Sequence, residues 1–524
     1  MLEAESFDEL LYQAGERFGD KIFLADDGLL GPITYRQARS FAQAVKSKLD
    51  ELEIPEGSFV ATAFHNCSLA ALLFLAVIGA RRELIPLNPL STKSEFDYML
   101  DLAQCAAVIV DPNHVRTHEF GDRKIISVPK HSEFFETLMG GRSNRRHAGA
   151  PSSGSVHRAS EVVFTSGSTG RPKGARLSEQ SLLSNARALA EVYELDASDR
   201  FLTVCPLFHN SGQVFTTLSC ALVGGTTAAV KSDVGMLRFW HCVEKYQAHW
   251  SLGMVSFLAL LLSRPSQPAA DVSMRGLLTG GSAIDAALIA SFEARFNIPV
   301  RTVYGLTESA SIATCEYRDP DPRSLGSSGR PLPICDVRLG SDPGSLVAAD
   351  DPRARDRGEI WIAGPTVFEG YLGDAALTEQ RKIGEWLKTG DLGYYDERGN
   401  LFVVDRLDSM LIVGGENVYP AEVERYCMQL QDAAQIVLTS VEHPIWGAEL
   451  FLVYKTVGDC SPNVRTWHRV FTDNLAAAKV PQRYLGLSEL GLSDFPRKEN
   501  GKLDRQALSG LVKAHARQSL GASA

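Results

Sequence analysis

The chain has 524 residues, of which 44% are hydrophobic and 22% charged, a composition typical of a folded globular protein and not of a disordered one. Its 53 basic and 63 acidic residues give a net charge of −10, which argues against sequence-independent binding to nucleic acid. The nine cysteines include no Cys-x-x-Cys pair, and we interpret them as reduced thiols of a cytoplasmic protein.

The amino terminus has neither a basic segment nor an apolar segment of the kind found in secretion signals, so none is predicted. The longest apolar stretch covers residues 69–80, which is shorter than the ~18–20 residues that a membrane-spanning helix needs. We therefore interpret this stretch as a buried helix and expect no transmembrane segment.

The first part of the chain alternates helical and strand patterns. Helical spacing of apolar residues predicts helices over residues 7–18 and 35–52. Short apolar runs then predict strands over residues 59–64, 84–86 and 107–110, with the helix of residues 69–80 among them. This alternation is typical of α/β units built on a parallel sheet.

Polar segments separate the later elements. Residues 140–160 and 341–357 lack apolar periodicity, and both are predicted to be surface connections. Strands are predicted over residues 358–363 and 400–404 between turn signals. Residues 406–524 carry strand patterns at 435–440 and 450–455 and a helical pattern at 464–478. We predict two domains, residues 1–405 and residues 406–524, because a block of about 120 residues has the size of a small domain.

The most specific local signal is the segment FTSGSTGRPKG, residues 164–174. Its glycines allow close backbone approach, its hydroxyl and N–H groups can surround phosphate oxygens, and its lysine adds a cation. It is not a Walker A loop, because Gly174 stands where serine or threonine would follow the lysine. The segment predicts a polyphosphate site made of Thr165, Ser166, Gly167, Ser168, Thr169, Gly170 and Lys173.

This loop resembles the phosphate-binding signature of the adenylate-forming superfamily, which comprises acyl- and aryl-CoA synthetases, peptide-synthetase adenylation domains and firefly-type luciferases. Five further segments are similar to motifs of that family and occur in the family's order along most of the chain. They are PLFHNSG (206–212), YGLTE (304–308), WLKTGD (386–391) followed by DR (405–406), GGENVYPAE (414–422) and PRKENGK (496–502).

The resemblance implies an α/β fold with a large amino-terminal domain of several subdomains, whose sheets are flanked by helices, and a small mobile α+β carboxy-terminal domain. It also implies two reaction steps that use ATP, Mg²⁺ and CoA. A carboxylate attacks the α-phosphate of ATP to give an acyl-adenylate and pyrophosphate, and a thiol then attacks the activated carbonyl and releases AMP.

Residue types at the matching positions suit these roles. Tyr304 offers adenine an aromatic face, next to Gly305, and the carboxylate of Asp391 can accept from both ribose hydroxyls. Glu308 is a hard oxygen ligand suited to Mg²⁺, and Thr307 can donate to the α-phosphate. Arg406 can hold the ribose or a phosphate as a planar donor.

Lys502 is the residue that we expect to carry the first half-reaction, because a cation between two anions relieves their repulsion. The family rotates its small domain between the two steps, and the matching hinge residue is Asp408. Gly415 is expected to line the route of the thiol arm, where a side chain would obstruct it. The twelve histidines show no zinc-ligand spacing, so no zinc site is predicted.

The substrate is predicted to be a non-amino carboxylic acid, fatty or aromatic. Amino-acid-activating members carry an aspartate in the pocket motif, and the stretch His209 to Gln213 has none. A buried ammonium group would therefore lack a partner, which is costly. His209 is expected to gate or line the pocket, and the other expected pocket residues are Asn210, Gln213, Val255, Phe257, Gly280, Gly281 and Ser282.

Three functions stay open at this point. The first is an acid–CoA ligase. The second is a stand-alone ligase that loads the phosphopantetheine of an acyl-carrier protein, because GKLDRQAL (501–508) resembles the end of peptide-synthetase adenylation domains. The third is an inactive nucleotide-binding homologue, against which the intact Lys173, Glu308, Asp391 and Lys502 argue. A luciferase-like oxygenase would share the same fold.

Overall fold

The computed structural model describes residues 1–113, 123–140, 159–166, 172–265, 267–268, 272–281, 284–318, 323–413, 416–430, 432–443, 447–458, 460, 462–497 and 503–521. The first helices begin at capping residues: Ser6 accepts from the backbone N–H of Glu9, and Thr34 forms a capping box with Gln37. The elements up to residue 140 are α1 (Phe7–Phe18), β1 (Ile22–Leu24), β2 (Ile33–Thr34), α2 (Tyr35–Glu51), β3 (Phe59–Ala63), α3 (Ser68–Gly79), β4 (Glu83–Leu87), α4 (Lys93–Leu102), β5 (Ala107–Val110), β6 (Lys124–Ser127) and α5 (His131–Gly140).

The middle of the chain continues the alternation of strands and helices, with a π-helical turn at Val214–Leu218 and a 3₁₀ turn at Thr307–Ser309. Its elements are β7 (Ala159–Ser166), β8 (Pro172–Ser178), α6 (Glu179–Val192), β9 (Arg200–Thr203), α7 (Asn210–Gln213), α8 (Ser219–Val223), β10 (Thr226–Ala229), α9 (Ser232–Leu237), α10 (Phe239–Tyr246), β11 (Trp250–Met254), α11 (Val255–Leu262), β12 (Gly276–Gly280), α12 (Ala286–Phe296), β13 (Val300–Tyr304) and β14 (Thr314–Cys315).

The next segment is mainly antiparallel strand, and a 3₁₀ turn at Pro352–Arg355 lies in the predicted polar loop. Its elements are β15 (Arg330–Pro331), β16 (Asp336–Gly340), β17 (Gly358–Ala363), β18 (Gly370–Tyr371), α13 (Ala375–Arg381), β19 (Lys382–Ile383), β20 (Trp386–Tyr395) and β21 (Leu401–Arg406). A 3₁₀ turn at Leu407–Ser409 follows.

The last part of the chain comprises β22 (Leu411–Val413), β23 (Glu416–Val418), α14 (Pro420–Glu424), β24 (Ala433–His443), β25 (Gly447–Thr456), α15 (Val464–Asn474), β26 (Arg483–Gly486) and α16 (Arg505–Gly521). Short 3₁₀ turns lie at Cys427–Gln429, Ala477–Lys479 and Leu487–Leu490. The helical pattern had predicted a helix to residue 478, but α15 ends at Asn474. Leu475, directly after the helix, and Ala478, in the turn Ala477–Lys479, pack against the same apolar cluster, so the apolar spacing persists without the helix.

Two large mixed sheets position the candidate site, together with an antiparallel sheet of order β16-β17-β20-β19 in which β21 pairs with β20. One has the strand order β15-β14-β13-β12-β11-β9-β10-β1-β2, with β1, β9, β10, β11, β12 and β13 in parallel. The other has the order β18-β8-β7-β4-β3-β5-β6, and β7 and β8 form an antiparallel hairpin next to the edge strand β18. Helix α3 is buried, as predicted, and its residues belong to the main apolar core. No helix among the described residues is long and apolar enough to span a membrane.

The described residues after position 410 form a sheet of order β24-β25-β26 and a hairpin of β22 and β23. Their buried apolar residues form clusters that contain no residue before Leu411. One cluster surrounds Trp467 and Phe471 beside β24 and β25, and the other packs α16 against the same strands through Leu508 and Val512.

Candidate active site

The phosphate segment lies on the hairpin of β7 and β8. Thr165 pairs with Lys173 across this hairpin, and Ser166 pairs with Pro172. A side chain at Gly174 would meet a carbon of Val162 at 2.7 Å, so the hairpin needs a glycine at the position after the lysine. Of the other predicted phosphate ligands, Gly167, Ser168, Thr169 and Gly170 lie outside the described residues.

The adenine and metal motif begins where β13 ends. A side chain at Gly305 would lie 2.0 Å from the carbonyl oxygen of Ser311, so this tight turn admits only glycine. Thr307 and Glu308 follow in the 3₁₀ turn, and Glu308 is only 8% exposed. The hydroxyl of Tyr371 donates to Glu308 Oε1 at 2.6 Å, and the backbone N–H of Phe368 donates to the Glu308 carbonyl at 2.9 Å.

These contacts connect Glu308 to the phosphate hairpin. Strand β18 pairs with β8, and Tyr371 lies opposite Ala175, two residues after Lys173. The backbone N–H of Leu372 donates to the Gly174 carbonyl at 2.8 Å. The candidate metal ligand and the candidate phosphate ligands therefore share one supporting strand, β18.

Asp391 joins Tyr304 and Arg406 in one polar cluster. The Tyr304 hydroxyl donates to Asp391 Oδ2 at 2.7 Å, and Arg406 Nη1 lies 3.0 Å from Asp391 Oδ1. The cluster forms because Asp391 on β20 pairs directly with Arg406 on β21. Burial, together with the Asp391 charge, raises the pKa of Tyr304 well above its usual value, so this hydroxyl stays protonated and donates. Sequence motifs 87 residues apart meet here, as the resemblance implied.

We name residues 205–213 the pocket turn, because they contain the predicted acid-binding residues. His209 precedes α7, and its ring lies 4.7 Å from that of Phe208. Asn210 Nδ2 donates to the Thr307 carbonyl at 3.2 Å, which places the turn beside the adenine and metal motif. The amide nitrogen of Gln213 donates to Glu161 Oε1 at 2.6 Å and to the Leu207 carbonyl at 2.8 Å.

The other predicted pocket residues lie at the ends of β11 and β12. Val255 begins α11 directly after β11, and Phe257 is buried with its ring 5.0 Å from that of Phe239. A side chain at Gly280 would meet the Val303 carbonyl oxygen at 2.4 Å, so β13 fills the space on that side. Gly281 has φ +80°, and a side chain there would meet no atom within 4 Å. Gly281 thus borders open space, while Ser282 lies outside the described residues.

The junction with the last part of the chain follows β21. Asp405 Oδ2 accepts from the backbone N–H of Ala421 at 2.8 Å, and Arg357 Nη2 lies 2.5 Å from Glu422 Oε1. The predicted hinge residue Asp408 is the middle residue of the 3₁₀ turn Leu407–Ser409. Gly415 and Lys502 lie outside the described residues.

The chain on either side of the predicted lysine loop is described. Arg497 and Leu503 form an isolated antiparallel bridge, and the backbone N–H of Asp504 donates to the Pro496 carbonyl at 2.8 Å. Arg505 pairs with Glu424, its Nη1 lying 2.7 Å from Glu424 Oε1. The two ends of the loop are therefore close together and are anchored to α14.

Four functional candidates gave no motif signal. Asn66 and Glu161 contact the pocket turn, and Tyr371 contacts Glu308. Ser311 has φ +105°, is 7% exposed, and its hydroxyl has no partner among the described residues. Backbone strain of this kind occurs most often at functional sites. A buried glutamate within an apolar strand was the one signal in the sequence that could have drawn attention to Glu161.

The donor set fits a nucleotide with Mg²⁺. Asp391 and Arg406 present an acceptor and a planar donor on one strand pair, which suits ribose hydroxyls and a phosphate. Glu308 supplies a carboxylate of the kind that Mg²⁺ prefers, held by Tyr371 close to the phosphate hairpin. When bound, Mg²⁺ would neutralise charge on the phosphate oxygens.

Comparison with known proteins gives the family. The model of the AMP-binding enzyme family matches residues 11–372. Indoleacetate–CoA ligase from Aromatoleum aromaticum is 30% identical over 351 residues, 67% of either chain, and oxalate–CoA ligase from Arabidopsis thaliana is 26% identical over 523 residues, 97% of this chain and 99% of the relative. The solved o-succinylbenzoate CoA synthetase from Bacillus subtilis, in complex with its acyl-adenylate intermediate, covers 95% of this chain and 97% of its own at 23% identity, with a TM-score of 0.81.

The structural likeness confirms the predicted fold class, with mixed sheets flanked by helices and a small carboxy-terminal domain. The family match covers the phosphate segment, the pocket turn and the adenine and metal motif. The chain therefore belongs to the AMP-binding enzyme family, as an acid–thiol ligase of the AMP-forming type.

Proposed function

We propose that this protein is an ATP-dependent acid–CoA ligase that activates a non-amino carboxylic acid, fatty or aromatic. It forms an acyl-adenylate, transfers the acyl group to the thiol of CoA, and releases AMP and pyrophosphate. The observation that carries this proposal is the assembly of Asp391, Tyr304 and Arg406 beside a turn that holds Glu308. Ligases of this type use ATP, Mg²⁺ and CoA.

In the first step, the described residues bind and orient ATP. Asp391 accepts from the ribose hydroxyls, and Tyr304 keeps the Asp391 carboxylate in place through its hydroxyl. Glu308 would hold Mg²⁺, which would neutralise charge on the phosphate oxygens, and Lys173 and Thr165, paired on the hairpin, would supply a cation and a donor to them. Lys502 contributes a second cation, which brings the acid's carboxylate and the α-phosphate together.

The pocket turn supports a substrate without an amino group. His209, Asn210 and Gln213 carry no carboxylate, so an ammonium group bound there would lack a counter-charge. The carboxyl group of Glu161, which lies on β7 and contacts the turn, is fully buried and bonded to Gln213. Indoleacetate and oxalate, named for the two relatives, are likewise acids without an amino group.

In the second step, the thiol must reach the acyl-adenylate after Lys502 has left. We propose that residues 406–524 rotate as a mobile domain about Asp408, relative to residues 1–405, and that Gly415 then lines the thiol route. The separate apolar clusters after residue 410 support such motion, because the buried apolar residues that the structure describes there share no core with the preceding part of the chain.

The proposal is tested by mass spectrometry of one reaction set. The purified protein with ATP and Mg²⁺ is offered short, medium, long and aromatic acids, each with and without CoA. An acyl-CoA product names the acid class and supports the ligase. Acyl-adenylate without a CoA thioester would favour a carrier-protein phosphopantetheine as the acceptor, and no product with any acid would favour the inactive homologue.

A further inference from the structure

Asn66 fixes the backbone at the start of the pocket turn. It follows β3, is 5% exposed, and makes hydrogen bonds on both sides of Pro206. Its Nδ2 donates to the Cys205 carbonyl at 2.6 Å, and its Oδ1 accepts from the Leu207 backbone N–H at 2.7 Å. One side chain therefore fixes the backbone before and after the proline.

Glu161 holds the same turn from the phosphate strand. It lies on β7, five residues before Ser166, and it is fully buried. Gln213 donates to both Glu161 and the Leu207 carbonyl through one amide nitrogen. The N–H of Leu207 is thus tied to Asn66, while its carbonyl is tied through Gln213 to β7.

The opposite end of the turn reaches the metal motif. Asn210, three residues after Leu207, donates to the carbonyl of Thr307, the residue before Glu308. The pocket turn is therefore connected by side-chain hydrogen bonds to β3, to the phosphate strand and to the turn that carries the candidate metal ligand. Two of these three connections depend on Asn66 and Glu161.

The buried position of Glu161 is energetically unfavourable for a carboxyl group. Its strand neighbours Leu84 and Leu177 are apolar, and its Oε2 has no partner among the described residues. Burial raises the pKa of its carboxyl group to about 8. An apolar residue would suit the strand better, and such local conflicts are expected at functional positions.

We propose that Asn66 and Glu161 are positioning residues for the acid substrate, acting through Leu207 and Gln213 on the pocket turn. They set His209 and Asn210 at the place where the acid's carboxylate meets the α-phosphate. This inference rests on the proposed function, because it takes the pocket turn to be the acid-binding wall.

The test measures adenylation alone, by acid-dependent exchange of labelled pyrophosphate into ATP, with the best acid from the panel. Asn66→Ala and Glu161→Leu remove the two connections and should raise the KM for the acid about tenfold, because each leaves buried groups unpaired. The KM for ATP should stay within about twofold. Glu161→Gln, in contrast to Glu161→Leu, keeps an acceptor for Gln213, so its KM for the acid should equal that of the wild type.

Tyr35→Phe is the matched control. The buried Tyr35 hydroxyl donates to the carbonyls of Cys220 and Gly225, at 3.1 and 2.8 Å, in another part of the core. Its loss should lower the Tm and leave both KM values unchanged. Gln213→Leu removes the same hydrogen bond by changing its donor instead of Glu161. It serves as the test variant if Glu161→Leu or Asn66→Ala does not fold.

Failure of the positioning role and failure of the proposed ligase function give different results. If the wild-type protein exchanges pyrophosphate but Asn66→Ala, Glu161→Leu and Gln213→Leu change only the Tm, the positioning role is wrong. It is also wrong if these variants raise both KM values equally. If the wild-type protein exchanges no pyrophosphate with any acid, the proposed function fails and the positioning role falls with it.

Discussion

Replacing Glu161 with glutamine should stabilise the protein, and the gain should grow with pH. Burial raises the Glu161 pKa from its ordinary value of 4.5 to about 8, so the folded protein keeps a proton that the unfolded chain releases. For a raised carboxyl pKa, the folded state is favoured below pH 4.5 and loses stability as the pH rises toward 8. Each pH unit in this window costs about 1.4 kcal/mol.

Glutamine does not titrate, so the free energy of unfolding of Glu161→Gln does not fall with pH for this reason. Between pH 5.5 and 7.5, its free energy of unfolding should rise by about 3 kcal/mol relative to the wild type. For a chain of this length, that corresponds to a relative increase in Tm on the order of 3–6 °C. Thermal unfolding of both proteins at pH 5.5, 6.5 and 7.5 measures the difference.

Glu316→Gln is the control for this experiment. Glu316 is also buried, but it is paired with Arg323, whose Nη2 donates to Glu316 Oε2 at 2.9 Å. Loss of that pairing should lower the Tm at neutral pH, because Arg323 keeps its charge and loses one of its two carboxylate partners, the other being Glu293. A Tm difference between Glu161→Gln and wild type that does not change with pH would refute the reasoning, since it would mean that Glu161 binds no extra proton on folding.

Three further predictions concern the reaction. Lys502→Ala should slow adenylation about 10²–10³-fold but spare thioester formation from supplied acyl-adenylate; equal loss of both half-reactions would contradict the role of Lys502. Tyr371→Phe removes the hydrogen bond to Glu308, so the Mg²⁺ concentration for half-maximal adenylation should rise about fivefold, with the KM for the acid unchanged as the control. Asp408→Pro should slow the thioester step after normal adenylation, because it stiffens the turn Leu407–Ser409; an unchanged thioester rate would argue against the hinge.

The order of motifs was enough to predict that residues of separate motifs come together in the fold. Tyr304, Asp391 and Arg406 lie in separate motifs, and the structure brings them within hydrogen-bond distance. The strand and helix patterns also predicted elements before residue 111 and after residue 357, because apolar spacing reflects burial directly. The end of α15 was wrong by four residues, since the 3₁₀ turn after it keeps the same apolar spacing.

The residues that hold the candidate site residues in place could not be predicted from motifs. Asn66 and Cys205 are 139 residues apart, and Glu161 and Gln213 are 52 apart, so no local spacing joins either pair. Their hydrogen bonds depend on the sheet order, which places β3, followed by Asn66, and β7, which carries Glu161, in one sheet. Tyr371 reaches Glu308 for the same reason, through the pairing of β18 with β8. Motifs thus predict the candidate substrate-binding residues, whereas the side chains that hold these residues in place follow from sheet order.

The junction shows how one strand end can serve both the nucleotide and the proposed domain rotation. Asp405 and Arg406 are consecutive on β21, so their side chains point to opposite faces. Arg406 contacts Asp391 in the polar cluster that includes Tyr304, whereas Asp405 accepts from the backbone N–H of Ala421 in the last part of the chain. A rotation at Leu407–Ser409 would break the contact of Asp405 with Ala421 and the pairing of Arg357 with Glu422. The proposed domain boundary counts Arg406 with the small domain, but the turn Leu407–Ser409 lies after it. A rotation at this turn would therefore leave Arg406 on Asp391, so the adenylate can stay bound while the thiol arm arrives.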